Sequence, residues 1–254
     1  MGQASITEIA ESLQDYEPLK ELPKEIGGFK LEQGSGIQGQ ILNIAAYVNE
    51  AAHCRLDITY TSETFDYVPV KTVGLHTFRD ERYFSRERDK FFQELREHLP
   101  AMLAEMDMSR MRSLGYEGAG IGMDGWNAWR DLPQPVDGFE LFITPEHLLP
   151  YINGSFIFLD YTDFAGGNQI YFSYNIFRNE IFAEMKQHGL PLTTNVFDVP
   201  AVVPDDKKLE LLTEHLQKHL LETMEFLKKF KKVVDIYVTL RYNKHVVWPG
   251  GSVG

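Results

Sequence analysis

Residues 80–107 and 205–232 carry apolar side chains at helical spacing between mixed charges, and each stretch follows a region that reads as antiparallel strands. A chain that runs β-then-α twice is best read as one architecture used twice, which narrows the fold class sharply. In the second stretch Pro204, Asp205 and Asp206 mark the start, and Leu209, Leu212, Leu216, Leu220, Leu227 and Phe230 form the stripe. In the first, Phe84, Phe91, Phe92, Leu95, Leu99, Met102, Leu103 and Met106 do the same. Pro100 removes a helical donor there, so a kink or break is expected near His98 and Leu99.

The strand signals are period-two runs. Residues 156–162 and 170–176 are aromatic-rich and flank a loop with Gly166, Gly167 and Asn168, which take positive φ cheaply, so they predict a hairpin. Simple alternation puts Phe156, Phe158 and Asp160 on one face and Ile157, Leu159 and Tyr161 on the other. Residues 55–61 alternate well, and 68–73 form a shorter run that Pro69 assigns to an edge or a bulge. A last strand is expected at 233–242. Ile37-x-Gly39 resembles Ile152-x-Gly154, and Val68-Pro69 resembles Val199-Pro200, which suggests paired halves with about a helix of extra chain at 180–188.

Charge limits the partners. The net charge is −12; residues 1–25 hold six acids against Lys20 and Lys24, and residues 116–163 hold eight against Arg130 alone. Nucleic acid is disfavoured, since counterion release needs clustered Lys and Arg. The cluster of Lys228, Lys229, Lys231 and Lys232 falls at a helix C-terminus, where cations suit the dipole. Residues 76–99, with six basic and six acidic side chains, read as a solvated helix face. No window approaches the roughly 18 apolar residues of a membrane span. A lone Cys54 has no partner for an internal disulfide, and a cytoplasmic setting is expected.

Motifs for chemistry are weak. Gly34-Ser-Gly36-Ile-Gln-Gly39 fits the dinucleotide pattern, but residues 29–33 alternate where a central parallel strand would be apolar, and a glycine turn between antiparallel strands fits better. Gly120 to Gly125 repeats the pattern without a strand or helix around it. His215 and His219 stand one turn apart, lack the glutamate of the H-E-x-x-H motif, and read as boundary residues, so no metal or cofactor is assigned. Asp160 and Asp163 belong on opposite faces of one strand, with Asp163 capping the turn. Neither G-x-S-x-G nor an activated cysteine is present, so no catalytic residue is assigned.

The fold expected is α+β: mainly antiparallel sheet packed against two long amphipathic helices, with the N-terminal acidic segment as a peripheral helix. It is open to a division into a β/α half at 1–114, a Gly/Trp-rich connection at 115–150 and a second half at 151–254. The connection carries Trp126, Trp129, Arg130 and Asp131 in an acidic setting, and Trp and Arg dominate interface hot spots. These four are the candidate binding residues. The function expected is an inhibitor- or immunity-type module that binds a basic protein. The alternatives are a hydrolase-like enzyme whose acids assemble from distant segments, and a weak nucleotide binder at Gly34 to Gly39.

Overall fold

The structure, a computed structural model, describes residues 4–106, 121–151 and 154–229. The expected strand at 233–242, the helical residues Asp107, Phe230, Lys231 and Lys232, and Ile152 lie outside them. The fold is mixed α+β with two antiparallel sheets. No helix among the described residues is long and apolar enough to cross a membrane.

Two short helices open the described chain. In α1 (Ile6–Leu13), Ser5 and Glu8 form a reciprocal capping box; α2 is Glu17–Lys20. The first sheet is a meander of β1 (Glu25–Ile26), β2 (Phe29–Gln38), β3 (Ile41–Asn49), β4 (Cys54–Thr61), β5 (Asp66–Val73) and β6 (His76–Arg79). It is followed by α3 (Arg88–Ala104), which buries Phe91, Phe92, Leu95, Leu99 and Met102 against Tyr47, Leu56, Ile58 and Tyr67. The helix starts eight residues later than expected, because a single helical turn at Glu81–Tyr83 is followed by Ser85, which exchanges both backbone hydrogen bonds with Tyr67. α3 also runs through Pro100. That residue is exposed, as is Arg96, whose carbonyl loses its helical donor, so water can serve the carbonyl in its place.

The second sheet contains β7 (Glu140–Ile143), β8 (Leu149–Pro150), β9 (Ser155–Asp163), β10 (Asn168–Asn175), β11 (Glu180–Gln187) and β12 (Leu190–Thr193). α4 (Asp205–Lys229) follows, its Leu212, Leu216, Leu220, Met224 and Leu227 wholly buried. Of the two long amphipathic helices expected, α4 is the long one, with 25 residues to the 17 of α3. Residues 180–188, expected as extra chain in the second half, are β11 and the turn after it, the counterparts of β5 and its turn.

The two sheets repeat one geometry. β9 starts 114 residues after β3, and β10, β11 and β12 start at the same displacement from β4, β5 and β6, at 41 and 155, 54 and 168, 66 and 180, 76 and 190. The bulge at Ile44 recurs at Phe158, and the Tyr67–Ser85 bridge recurs as Ile181–Val199. Positive φ recurs too, at His53 and Gly167, Phe65 and Asn179, Gly74 and His188. Over residues 41–85 only Tyr47, Ala51 and Tyr60 are identical to their counterparts Tyr161, Ala165 and Tyr174. The short motif matches therefore pair the wrong residues: Val68 corresponds to Phe182, and Val199 to Ser85.

The bulge also overturns simple alternation in β9. Phe158 is the extra residue, so Phe158, Leu159 and Tyr161 all pack with α4, while Ile157 shares the opposite face with Asp160. Pro69 lies in an internal strand, but beyond the end of β6, where no strand asks for its missing N–H; its carbonyl accepts from the Asp80 N–H at 2.9 Å.

The first half docks on this second face of β9 and β10 through the β5–β6 turn. Gly74, at φ +61°, lies so close to Phe142 that a Cβ would sit 2.5 Å from the ring. Lys186 Nζ donates to the Leu75 carbonyl at 2.6 Å. His76 and Asp160 are fully buried and meet at 2.8 Å. Gln169 Nε2 also donates to Asp160 Oδ2 at 2.8 Å, and the Thr162 hydroxyl donates to Oδ1 at 2.8 Å. Gln169 Nε2 lies 2.9 Å from His76 Nε2 as well, so three side chains converge on the Asp160 carboxyl.

Asp160→Ala would leave three buried donors without an acceptor, at a cost of about 3 kcal/mol. Asp160→Asn, which keeps the shape and one acceptor oxygen, should cost less. Denaturant unfolding decides this, and a loss below about 1 kcal/mol for the alanine variant would remove the buried network as the tie between the halves.

Candidate functional site

β5 places Lys71 on the same face as the buried Val73 and Tyr67, an unusual position for a lysine, with its side chain 3% exposed. The position is sustained by three charged groups that converge on it. Asp80 follows β6, Arg82 sits in the single helical turn Glu81–Tyr83, and Glu105 caps the C-terminus of α3. Lys71 Nζ lies 2.7 Å from Asp80 Oδ2 and 2.8 Å from Glu105 Oε2. Arg82 grips Asp80 with Nε at 2.8 Å and a terminal nitrogen at 2.7 Å, and reaches both oxygens of Glu105, at 3.1 and 2.6 Å. Two cations at the end of α3 also suit the negative end of its dipole. The Cys54 thiol, donating to the Met106 carbonyl at 3.3 Å, ties the end of that helix to β4.

These groups form one side of a cleft of about 370 Å3. The apolar side comes from both halves: Val73, Phe78 and Met106 from the first, Leu149, Pro150 and Tyr151 from the second. Arg79 and Arg82 are the half-exposed cations, at 42% and 58% of their side chains. Burial pushes the Asp80 and Glu105 carboxyls up, but hydrogen bonds and charge from Arg82 and Lys71 outweigh it and hold both below the usual carboxylate range. They are therefore fixed anions, unsuited to giving up a proton near neutral pH. Among other acids, Asp198 is pushed up, chiefly by burial; it borders a separate cavity of about 240 Å3 with Arg178 and Pro200.

The candidate binding residues fall elsewhere. Trp126 is buried in the second core, edge-on to Phe158, and its indole N–H donates to the Thr213 hydroxyl of α4 at 3.0 Å. It joins helix to sheet and offers no contact surface. Trp129 is half-buried, with the Arg130 guanidinium 4.7 Å above its ring; Arg130 also bonds Asn127 and Glu146, and Asp131 is exposed. None of the four borders the cleft. The segment expected as a connection supplies Ile121, Met123, Leu132 and Phe139 to the second core and forms β7 and β8.

Gly34 and Gly36 lie within β2, and Gly39 is in the turn to β3, so no helix N-terminus faces them. A Cβ on Gly34 would stand 2.2 Å from the Asn43 carbonyl oxygen, which accounts for that glycine by strand contact. His215 and His219 are half-buried on α4, His219 edge-on to Phe197, and no cluster of three metal-ligating side chains occurs among the described residues. Asp163 accepts from the Gly166 N–H and from Asn168, both at 2.8 Å, as a turn cap should. The charged run at 76–99 is a solvated face only in part, since Asp80 within it is 5% exposed.

Comparison with family models, with curated proteins and with solved structures gives no match for this chain. The one sequence cue to the cleft was Lys71 at an inward position of the run Val68–Pro69–Val70–Lys71–Thr72–Val73.

Because the folded-state pKa values of Asp80 and Glu105 are depressed, their contribution is present above the unfolded carboxylate range, near pH 4, and is lost as pH falls through the lower folded values. The double variant Asp80→Asn/Glu105→Gln should therefore lose stability at pH 7 and show a shallower acid limb than the wild type. Unfolding free energies measured from pH 7 down to about pH 3 test this; parallel curves would show that the network does not contribute.

Proposed function

We propose that the chain is a binding protein whose ligand is a small amphipathic anion, a carboxylate or phosphate on an apolar body, held in the cleft between the halves. The supporting observation is an internal control. Lys71, Arg79, Asp80 and Arg82 correspond, 114 residues on, to Met185, Thr193, Thr194 and Val196. The same backbone thus forms without any of these charges, and the fold alone does not account for keeping them in the first half. We also take the shared register to reflect descent of the two halves from one unit.

The ligand class follows from the lining. Three cations and two carboxylates line it, and a third carboxylate, Asp66, pairs with Arg79 at 3.1 Å. Lys71 is buried between Asp80 and Glu105, whereas Arg82 and Arg79 are half-exposed, and each guanidinium, though paired, keeps an N–H to offer an incoming anion. Phe78, Leu149 and Tyr151 offer the apolar body a dry wall. An acid-catalysing enzyme would require a carboxyl raised by its surroundings inside this cleft, and the two present are lowered, which favours binding over proton transfer. Titration with 3-phenylpropionate and octanoate, against their neutral amides, tests the reading by calorimetry. The acids should bind, and Arg79→Gln/Arg82→Gln should weaken them by roughly tenfold. Amides binding as well as acids, or no saturable binding at all, would sink it.

A second reading keeps a basic partner protein, now at the rim formed by Trp129, Arg130 and Asp131. Its support is the half-exposed indole under a guanidinium, the residue pair most often found at hot spots. It predicts association that weakens with salt and is lost in Trp129→Ala; indifference to both would reject it.

A further inference from the structure

A second cavity, of about 400 Å3, opens on the other side of Tyr151, which borders both. Its lining differs in kind. Tyr151, Phe177 and Phe182 supply aromatic rings, and Glu184 supplies a carboxylate among them. We propose that this cavity binds an organic ammonium group, the rings accepting the cation on their faces and Glu184 balancing its charge.

Each wall is held in place. Phe177 is the most exposed aromatic among the described residues, at 79%, yet it is not loose. Its N–H and that of Arg178 both donate to Asn175 Oδ1, at 3.0 and 2.9 Å, which fixes the turn. Its ring lies over Gly154, where a Cβ would stand 2.4 Å from the ring, so the close approach depends on glycine. A large ring held in one orientation with most of its surface in water is costly unless something covers it. Glu184 is the cross-strand partner of Tyr171, and after burial its charge and its hydrogen bonding are what raise the Tyr171 phenol. A carboxylate has further lone pairs, so it can take a cation while keeping that bond.

Arg178 also lines the cavity, and its guanidinium is paired outside it. Arg178 turns to Glu180 at 3.3 Å, and Lys186, next but one to Glu184, directs its ammonium to the Leu75 carbonyl and lies 5.7 Å over the ring of Tyr171. The corresponding positions of the first half carry no such set: Phe177, Phe182 and Glu184 correspond to Glu63, Val68 and Val70. The site is thus specific to the second half, as the charged cleft is to the first.

Choline is the probe, and 3,3-dimethyl-1-butanol, its uncharged isostere, is the control. Followed by calorimetry or ligand-observed NMR, choline should bind saturably and the isostere at least about tenfold more weakly, the margin expected of a desolvated cation–π contact. Glu184→Gln and the surface change Phe177→Leu should each weaken choline by about tenfold while leaving the thermal melt near that of the wild type. Arg79→Gln/Arg82→Gln should leave choline binding unchanged, which separates this site from the anion cleft. Equal binding of choline and its isostere, full binding by Glu184→Gln, or no saturable choline binding would each overturn the proposal.

Discussion

The β5–β6 turn can dock only because the second sheet presents a polar face to receive it. Asp160, Thr162, Gln169 and Lys186 lie on the side of β9, β10 and β11 away from α4, and they meet His76 and the Leu75 carbonyl with no water between the paired atoms. A buried carboxylate is stable in such a place only when its oxygens are fully engaged, and three donors from two halves do this. The tie also has direction: apolar packing alone would tolerate sliding, whereas hydrogen bonds at 2.8 Å fix how β6 meets β9. The cleft lies along this junction, and the aromatic cavity, lined by the second half alone, shares Tyr151 with it.

Two copies of one backbone make it possible to separate what the fold requires from what it carries. The bulge, the bridge and the three left-handed positions recur at a fixed displacement, although nearly all the side chains differ. At those positions the demand is on backbone conformation, met at two of them once by glycine and once by another residue, His53 against Gly167 and Gly74 against His188, and at the third by Phe65 and Asn179. The charged tetrad around Lys71 and the rings around Glu184 do not recur. Features present in one copy and absent from the other are not demanded by the common architecture, which is why they are the places to seek function.

Much of the fold was legible. The hairpin at Asp163–Asn168, the stripe of α4 and the core positions of α3 follow from periodicity and turn chemistry, because those signals depend only on neighbours in sequence. The start of α3 did not follow, since the Ser85–Tyr67 pairing that precedes it is long-range. The faces of β9 were misassigned because a bulge adds one residue and reverses the alternation beyond it, and nothing in residues 156–162 announces that.

The sequence by itself determined an α+β chain with a peripheral N-terminal helix, aromatic strands and an amphipathic α4, because local propensity and hydrophobic period are written along the chain. Only the tertiary structure decided that Trp126 belongs to a core, and that Lys71, Asp80, Arg82 and Glu105 are one group. Trp126 finds its partner Thr213 across 87 residues, and Lys71 reaches Glu105 across 34. Such convergence is set by how sheets stack and turns dock, and a charge buried by that packing looks in sequence like any charge in water.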